Sequence, residues 1–324
     1  MTTAAPEVTR IDRLEPGQIS DLLALAQAAD RADGAHPLSE HVMLRLRSED
    51  PAPVDHLVLR DRTGVPVGYA QLDRTGDPAG AEAELAVHPQ HRRQGLGRAL
   101  VDAAVARSGG ADLRIWAHGD HPSAAALALD LGFTRERVLW QFRRPLGGTS
   151  TGPVLPAGVV LRAFQPGQDD EAWLAVNRRA FAEHPEQGRW TAADLTVRMA
   201  EPWFDPAGFL LAVEESTGRL LGFHWTKVHA QPGPADAHGQ RDAAVPGEIR
   251  HEPMGEVYVV GVDPEAHGLG LGKALTWAGL RHLGDRGLTR VMLYVDESNV
   301  AAVALYTRLG FSRWTTHVQY RHTA

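Results

Sequence analysis

Two kinds of apolar spacing alternate along the chain, and their order occurs twice. Apolar runs at His56–Arg60 and Val67–Leu72 flank Thr63-Gly64, and runs at Phe209–Val213 and Leu220–Val228 flank Thr217-Gly218. Such pairs predict strands joined by turns. Further on, Leu96, Ala99, Leu100 and Ala103 recur as Leu271, Ala274, Leu275 and Ala278. Spacing at i, i+3, i+4 and i+7 is the buried stripe of an amphipathic helix. Gly109 and Gly284 are predicted to close the two helices. Leu113/Ile115/Ala117 and Val291/Leu293/Val295 alternate as strands. A last helical stretch in each half ends on Leu-Gly-Phe, at Gly132-Phe133 and Gly310-Phe311. Each half therefore predicts helix, hairpin, strand, Gly-loop, helix, strand, helix, an α/β (α+β) class with a mixed sheet.

The recurrence is sharpest where a strand enters a glycine-rich loop. Val87 to Gly97 (VHPQHRRQGLG) returns as Val262 to Gly272 (VDPEAHGLGLG), at an offset of 175 residues. A period this long marks two copies of a domain rather than a solenoid. The connector at Leu146–Gly158, rich in Gly, Pro, Thr and Ser, predicts a boundary between domains at 1–148 and 149–324. The second copy carries an insertion. Gly64 to Gly95 is 31 positions, whereas Gly218 to Gly270 is 52. The extra residues fall at about 229–255, and a functional lid and a disordered segment both fit their composition.

Composition narrows the chemistry. The 324 residues carry a net charge of −7, with 33 Lys+Arg against 40 Asp+Glu. That balance gives no basic footprint for nucleic acid or an anionic membrane. With no cysteine, disulfides, thiolate metal sites and a Cys nucleophile are excluded. The 16 histidines never fall into HExxH spacing, so no metal is expected. The first residues lack the pattern of a secretory signal. No apolar run approaches the roughly 20 residues of a membrane helix. A cytoplasmic protein, monomeric because the tandem copy stands in for a dimer partner, is the expectation.

A strand, a loop with Gly at alternate positions and then a helix gathers backbone N–H groups around an anion at a helix N-terminus. Neither GxxxxGK[ST] nor GxGxxG occurs in these loops, which excludes a P-loop and argues against a dinucleotide fingerprint. Arg92-x-x-Gly95-x-Gly97 resembles the Gln/Arg-x-x-Gly-x-Gly/Ala loop of the GNAT N-acetyltransferases, which holds acetyl-CoA pyrophosphate. The second copy departs in having His267 at the Arg/Gln position. Two tandem GNAT folds are thus expected. The tandem with GFHWTKVH (Gly222–His229), GEVYVVGV (Gly255–Val262) and LYVDESNVAAVALYTRLGF (Leu293–Phe311) further resembles the mycothiol synthase family of actinomycetes. That resemblance implies transfer of acetyl from acetyl-CoA to the cysteinyl amine of a small molecule, 1D-myo-inositol 2-(L-cysteinylamino)-2-deoxy-α-D-glucopyranoside. A tandem enzyme acting on another amine (an aminoglycoside or a protein N-terminus) and a non-catalytic acetyl-CoA sensor are the alternatives.

Transfer to an amine needs a base for the amine proton and a proton for the leaving thiolate. By the resemblance, Glu256 is the expected general base and Tyr306 the expected general acid. Counting back from Val87 and Phe133 aligns them with Ala81 and Ala128, so the first domain is expected to have lost the chemistry while keeping a cofactor loop. Acetyl-CoA contacts are expected from Val260, Gly261 and Val262, and from His267, Gly268, Leu269, Gly270, Leu271, Gly272 and Lys273. Asn299, Val300, Ala301, Ala302, Val303 and Ala304 complete that set. The first-domain equivalents are Leu85, Ala86 and Val87 with Arg93, Gln94, Gly95, Leu96, Gly97 and Arg98. Substrate contacts implied by the resemblance are Glu40, Glu186, Lys227 and Tyr294, together with Glu256.

Overall fold

The computed structural model describes residues 7–47, 54–77, 80–147, 152–182, 184, 187–229 and 253–323. The chain forms two compact units that do not divide at one point in the sequence. The first comprises Met1–Trp140, Asp296–Asn299 and Thr315–Ala324, and the second Gln141–Val295 and Val300–Trp314.

In the first unit, β1 (Thr9–Ile11), β2 (Asp55–Arg60), β3 (Pro66–Asp77) and β4 (Gly80–Val87) pair antiparallel in that order. Strand β4 then pairs in parallel with β5 (Asp112–His118). Helix α1 (Pro16–Asp33) starts on a Glu15/Gln18 capping box and a Pro in its first turn. It stops at Gly34, whose φ of 67° is one that glycine adopts without strain. The short α2 (Glu40–Arg47) follows. Helix α3 (Leu96–Arg107) buries Leu100, Val101 and Ala104 against Leu57, Leu72 and Leu113 of the sheet. Helix α4 (Pro122–Asp130) precedes β6 (Thr134–Pro145).

The strand beside β5 is not β6 but the last in the chain, β12 (Ser312–His322). It runs antiparallel to β5, with His317 opposite His118 and Tyr320 opposite Ile115. Val318 and Tyr320 thereby complete the core of the first unit. The strands after each Leu-Gly-Phe were not foreseen in the sequence, and this placement could not have been. Alternation shows that a segment is a strand but not which edge it joins.

The second unit repeats the order. Strands β7 (Val159–Ala163), β8 (Phe209–Glu214), β9 (Leu220–His229) and β10 (Met254–Val262) pair antiparallel, and β10 is parallel to β11 (Arg290–Asp296). Both predicted hairpins are present. Helices α5 (Asp170–Ala180) and α6 (Ala192–Met199) contribute Trp173 and Leu195 to an aromatic core with Phe209, Phe223 and Trp225. A separate cluster joins Leu271 and Leu275 of α7 (Leu271–Asp285) to Ala212, Leu221 and Ala266. The helix passes through Gly284 and ends at Arg286, and Gly287 takes the left-handed conformation at φ 80°. The predicted stop was therefore three residues early. Glycine only weakly disfavours a helix, so α7 runs on through Gly284 to the left-handed Gly287. Helix α8 (Val300–Arg308) lies before β12.

Candidate active site

The glycine loops have the geometry of an anion cradle. In the second unit β10 leads into a 3-10 turn at Pro264–Ala266, then Gly268 at φ 81° and Gly270 at φ 77°. Gly270 is the N-cap of α7 and provides no side-chain cap, so the first N–H groups of the helix are left for a ligand. The first unit matches it: a turn at Pro89–His91, Arg93 at φ 62°, and Gly95 at φ 81° as the uncapped N-cap of α3. Asp263 and His88 each cap their turn from the residue before it.

The Arg92/His267 difference has a structural reason. Arg92 Nε donates to Val87 O at 3.2 Å, and His267 Nε2 sits 3.2 Å from Val262 O. Either side chain fastens the loop to the strand it leaves. Arg92 also pairs with Asp33. Of the remaining loop residues, Lys273 and Leu269 are exposed and Arg98 pairs with Asp130. Val260–Val262 close β10, Leu85–Val87 close β4, and Val300–Ala304 form the start of α8. Asn299 precedes that helix and counts with the first unit.

Strand β10 carries a β-bulge. Glu256 faces Lys227 and Val257 faces Thr226, but Val259 faces Trp225, which leaves Tyr258 as the extra residue. A bulge bends its strand and re-aims side chains. Parallel pairing of β10 with β11 is confined to Gly255–Val291 and Glu256–Met292, so the two strands part directly after Glu256. That gap is where an extended ligand arm can pair as an added strand. In the first unit the β3–β4 register runs unbroken from Asp73–Glu82 to Gly68–Val87, and β4–β5 pairing continues to Glu84–Trp116.

The bulge corrects the alignment made from sequence. Gly222 faces Val262 as Gly68 faces Val87, and five residues along, Lys227 faces Glu256 as Asp73 faces Glu82. The counterpart of Glu256 is therefore Glu82, not Ala81. A linear count misses it because the extra residue lies between the two landmarks. The Tyr306/Ala128 equivalence holds: Phe311 N donates to Tyr306 O at 3.0 Å, and Phe133 N donates to Ala128 O at 2.9 Å.

Glu256 is buried at 5% exposure, and its Oε2 lies 2.6 Å from Nε2 of His229 at the end of β9. Lys227, 8% exposed, places Nζ 4.6 Å from the Trp203 ring centroid and 5.2 Å from that of Tyr258. The Tyr258 hydroxyl accepts from Arg198 Nε at 3.0 Å, and Arg198 lies over Trp190 at 3.9 Å. Buried cations over aromatic faces gain where water is excluded. Tyr306 on α8 stacks edge-on to Phe311 at 5.8 Å, and burial pushes its hydroxyl up to about 12. Tyr294 on β11 is 41% exposed and accepts from Gln141 Nε2 at 2.9 Å. Glu40 begins α2 in the first unit, and Glu186 lies outside the described residues, as does most of the inserted stretch, 230–252. The structure thus brings Glu256 and Lys227 together across one strand pair. The His229 contact to Glu256 and the Tyr258 bulge were not read from the sequence. For His229 the signal was its place two residues beyond Lys227, on the same face of β9.

In the first unit the equivalent carboxylate is held fast. Trp116 Nε1 donates to Glu82 Oε1 at 2.7 Å, and Gln319 Nε2 of β12 donates to the same oxygen at 2.9 Å. Nearby, Glu84 is buried with His118 Nε2 at 3.5 Å and accepts from Ser39 N at 2.5 Å. Burial opposes its ionisation, but the nearby His118 ring and the Ser39 N–H hydrogen bond outweigh that and hold its carboxyl below the usual range. His317 Nδ1 lies 2.9 Å from His118 Nδ1, and burial followed by repulsion from His118 pushes His317 down to about 3.

Doubled GNAT-like loops, a splayed strand and a buried carboxylate beside the splay together describe an acyl-CoA N-acyltransferase. Residues 20–133 and 172–311 each match the acetyltransferase (GNAT) family, and the chain belongs to that family. Among its relatives, the mycothiol acetyltransferase of Salinispora arenicola is 62% identical over 98% of this chain and 97% of its own. The mycothiol acetyltransferase of Thermobispora bispora is 55% identical over 95% and 97%. Among solved structures, a GCN5-related N-acetyltransferase from Sphaerobacter thermophilus aligns at TM-score 0.70 with 22% identity, covering 97% of this chain and 95% of that one. A tandem GNAT protein from the clavulanic acid biosynthesis pathway aligns at 0.71 with 22% identity, covering 98% of both. At that identity the two structures speak for the fold. Among the described residues no group of His, Cys, Asp and Glu has the arrangement of a metal site, and no helix is long and apolar enough to cross a membrane.

Proposed function

We propose that this chain is a mycothiol acetyltransferase, moving acetyl from acetyl-CoA to the cysteinyl amine of 1D-myo-inositol 2-(L-cysteinylamino)-2-deoxy-α-D-glucopyranoside. The observation that carries the substrate is the near full-length identity to the Salinispora and Thermobispora enzymes. Catalysis is assigned to the second domain, 149–324; the first, 1–148, keeps the loop for acetyl-CoA without the chemistry. The setting is the cytoplasm and the active form a monomer.

In this reading the pyrophosphate sits over His267–Lys273, the pantetheine arm pairs along Val260–Val262, and Asn299–Ala304 flank it. The first-domain loop, with Leu85–Val87 and Arg93–Arg98, offers a second acetyl-CoA cradle. Glu256 takes a proton as the amine attacks the thioester carbonyl. The new C–N bond forms, the C–S bond breaks, and Tyr306 or water supplies the proton to the departing thiolate. A hydroxyl at about 12 is protonated at neutral pH, as an acid must be, though it is a weak one toward a thiolate. Lys227, Tyr294, Glu186 and Glu40 are the proposed contacts to the pseudo-disaccharide.

Thiol release from acetyl-CoA, followed with the cysteinyl substrate and with its des-cysteinyl glucosaminyl-inositol, tests the reading. Turnover is expected with the cysteinyl compound. Turnover with the des-cysteinyl compound alone, or with neither, overturns it.

A further inference from the structure

The histidine that closes β9 has a geometry that the reaction can use. His229 and Lys227 are two residues apart on one strand and so share a face. Glu256 stands directly opposite Lys227, which leaves its carboxylate diagonal to His229. Lys227 turns its ammonium toward Trp203 and Tyr258. His229, by contrast, makes a short contact to one carboxylate oxygen, Nε2 to Oε2 at 2.6 Å. An ionised carboxylate only accepts, so in the resting site the imidazole must donate from Nε2. Among the described residues Oε1 of Glu256 accepts no hydrogen bond. One oxygen is thus held and the other is left to meet a proton.

A buried base works only if it is aimed. Glu256 sits at the last paired position before β10 departs from β11, where neighbouring backbone on one side falls away. A free glutamate there has three rotatable bonds and several orientations. A hydrogen bond to one oxygen removes that freedom and fixes the plane of the carboxylate. The first unit achieves fixation differently: Trp116 and Gln319 both donate to the same oxygen of Glu82, and its acid position is Ala128.

We propose that His229 is the positioning residue of the acetyl transfer. Its Nε2–H holds Oε2 of Glu256 so that Oε1 points to the attacking amine. This inference rests on Glu256 being the base, and the experiment separates the two.

Steady-state turnover and acetyl-CoA affinity are measured for His229→Ala, His229→Gln, Glu256→Gln and the double variant His229→Ala/Glu256→Gln, with melting temperatures as a folding control. Gln places an N–H the same number of bonds from the backbone as imidazole Nε2. His229→Ala is expected to lower kcat by about 10–100-fold, as lost orienting partners do, with KM for the amine and acetyl-CoA affinity within about twofold of the parent. His229→Gln should recover most of that loss. In the Glu256→Gln background, His229→Ala should change kcat less than about threefold, because residues that act as a unit are not additive. A full-sized effect of His229→Ala in that background overturns the proposal, as does parental kcat in His229→Ala. A His229→Gln variant that folds but is no better than His229→Ala overturns it too. If Glu256→Gln alone keeps parental turnover, the base assignment falls, and the positioning role falls with it for a distinguishable reason.

Discussion

The two units carry the same strand register up to one residue, and that residue separates them. In the first, β4 runs straight, keeps its pairing with β5 as far as Glu84–Trp116, and surrounds Glu82 with donors. In the second, Tyr258 is inserted, β10 leaves β11 after Glu256, and the carboxylate keeps a single His229 contact among the described residues. The opposite strand changes sign to match. Asp73, paired with Arg45, occupies the place of Lys227. Both units therefore keep a carboxylate at this place on the strand. In the first unit Glu82, the counterpart of Glu256, accepts from Trp116 and Gln319, and the counterpart of Tyr306 is Ala128.

Deleting Tyr258 would be the harshest test of this comparison. It would give β10 the unbroken register of β4, with Glu256 still opposite Lys227, and remove the local bend that re-aims the side chains beside it. Acetyl transfer is expected to disappear, while binding at the first-unit loop, read by calorimetry with coenzyme A, should persist.

Next in size is the paired substitution of the two glutamates. Glu256→Gln should cost about 10²–10⁴-fold in kcat, the range of a general base, with acetyl-CoA binding kept. Glu82→Gln should leave turnover within about twofold. A loss under roughly threefold for Glu256→Gln, or a comparable loss for Glu82→Gln, would erase the assigned asymmetry.

A third contrast concerns packing and pH. His224 in β9 is fully buried and has Nδ1 2.8 Å from Leu275 O, and Gly279 of α7 leaves room for its ring, because a Cβ there would lie 2.0 Å from it. The matching first-unit residues are Ala70 and Ala104, both buried. Burial pushes His224 down to about 4 from 6.5. A histidine buried neutral contributes fully above pH 6.5, and its share is lost as pH falls from 6.5 toward 4, because the unfolded chain takes up the proton first. That share is about 3 kcal/mol at one pKa unit per 1.4 kcal/mol. The double variant His224→Ala/Gly279→Ala, which copies the first unit, should flatten the fall in unfolding free energy between pH 7 and 4 by about that amount. An unchanged pH dependence would remove His224 from the account.

The smallest effect is expected from Tyr306→Phe. With water able to protonate the thiolate and the hydroxyl at about 12, kcat should fall roughly tenfold. Placing Tyr at position 128 of the first unit should create no activity, since Glu82 is already committed to Trp116 and Gln319.

Much of this was legible in the order of residues. Both hairpins, the strand–loop–helix elements and both glycine loops follow from local spacing, and Glu256, Lys227 and Tyr306 from a family likeness. Gly284 misled because a glycine in a helix costs only about 1 kcal/mol and need not end it, and the left-handed residue after this helix is Gly287. Trp116 and Gln319 could not be joined to Glu82 from sequence, because one donor is 34 residues away and the other 237.

By itself, then, the sequence determined that a domain was duplicated, where the two glycine loops lie, and which half carries Tyr306 where the other has Ala128. Periodicity, glycine conformation and side-chain chemistry are local properties, and they survive without knowledge of partners. Only the tertiary structure decided that Glu256 corresponds to Glu82, that β12 lies beside β5, and that His229 reaches the carboxylate. Each depends on which strand faces which and in what register. A single inserted residue on one side of a ladder changes that register and leaves almost no trace in the order of residues.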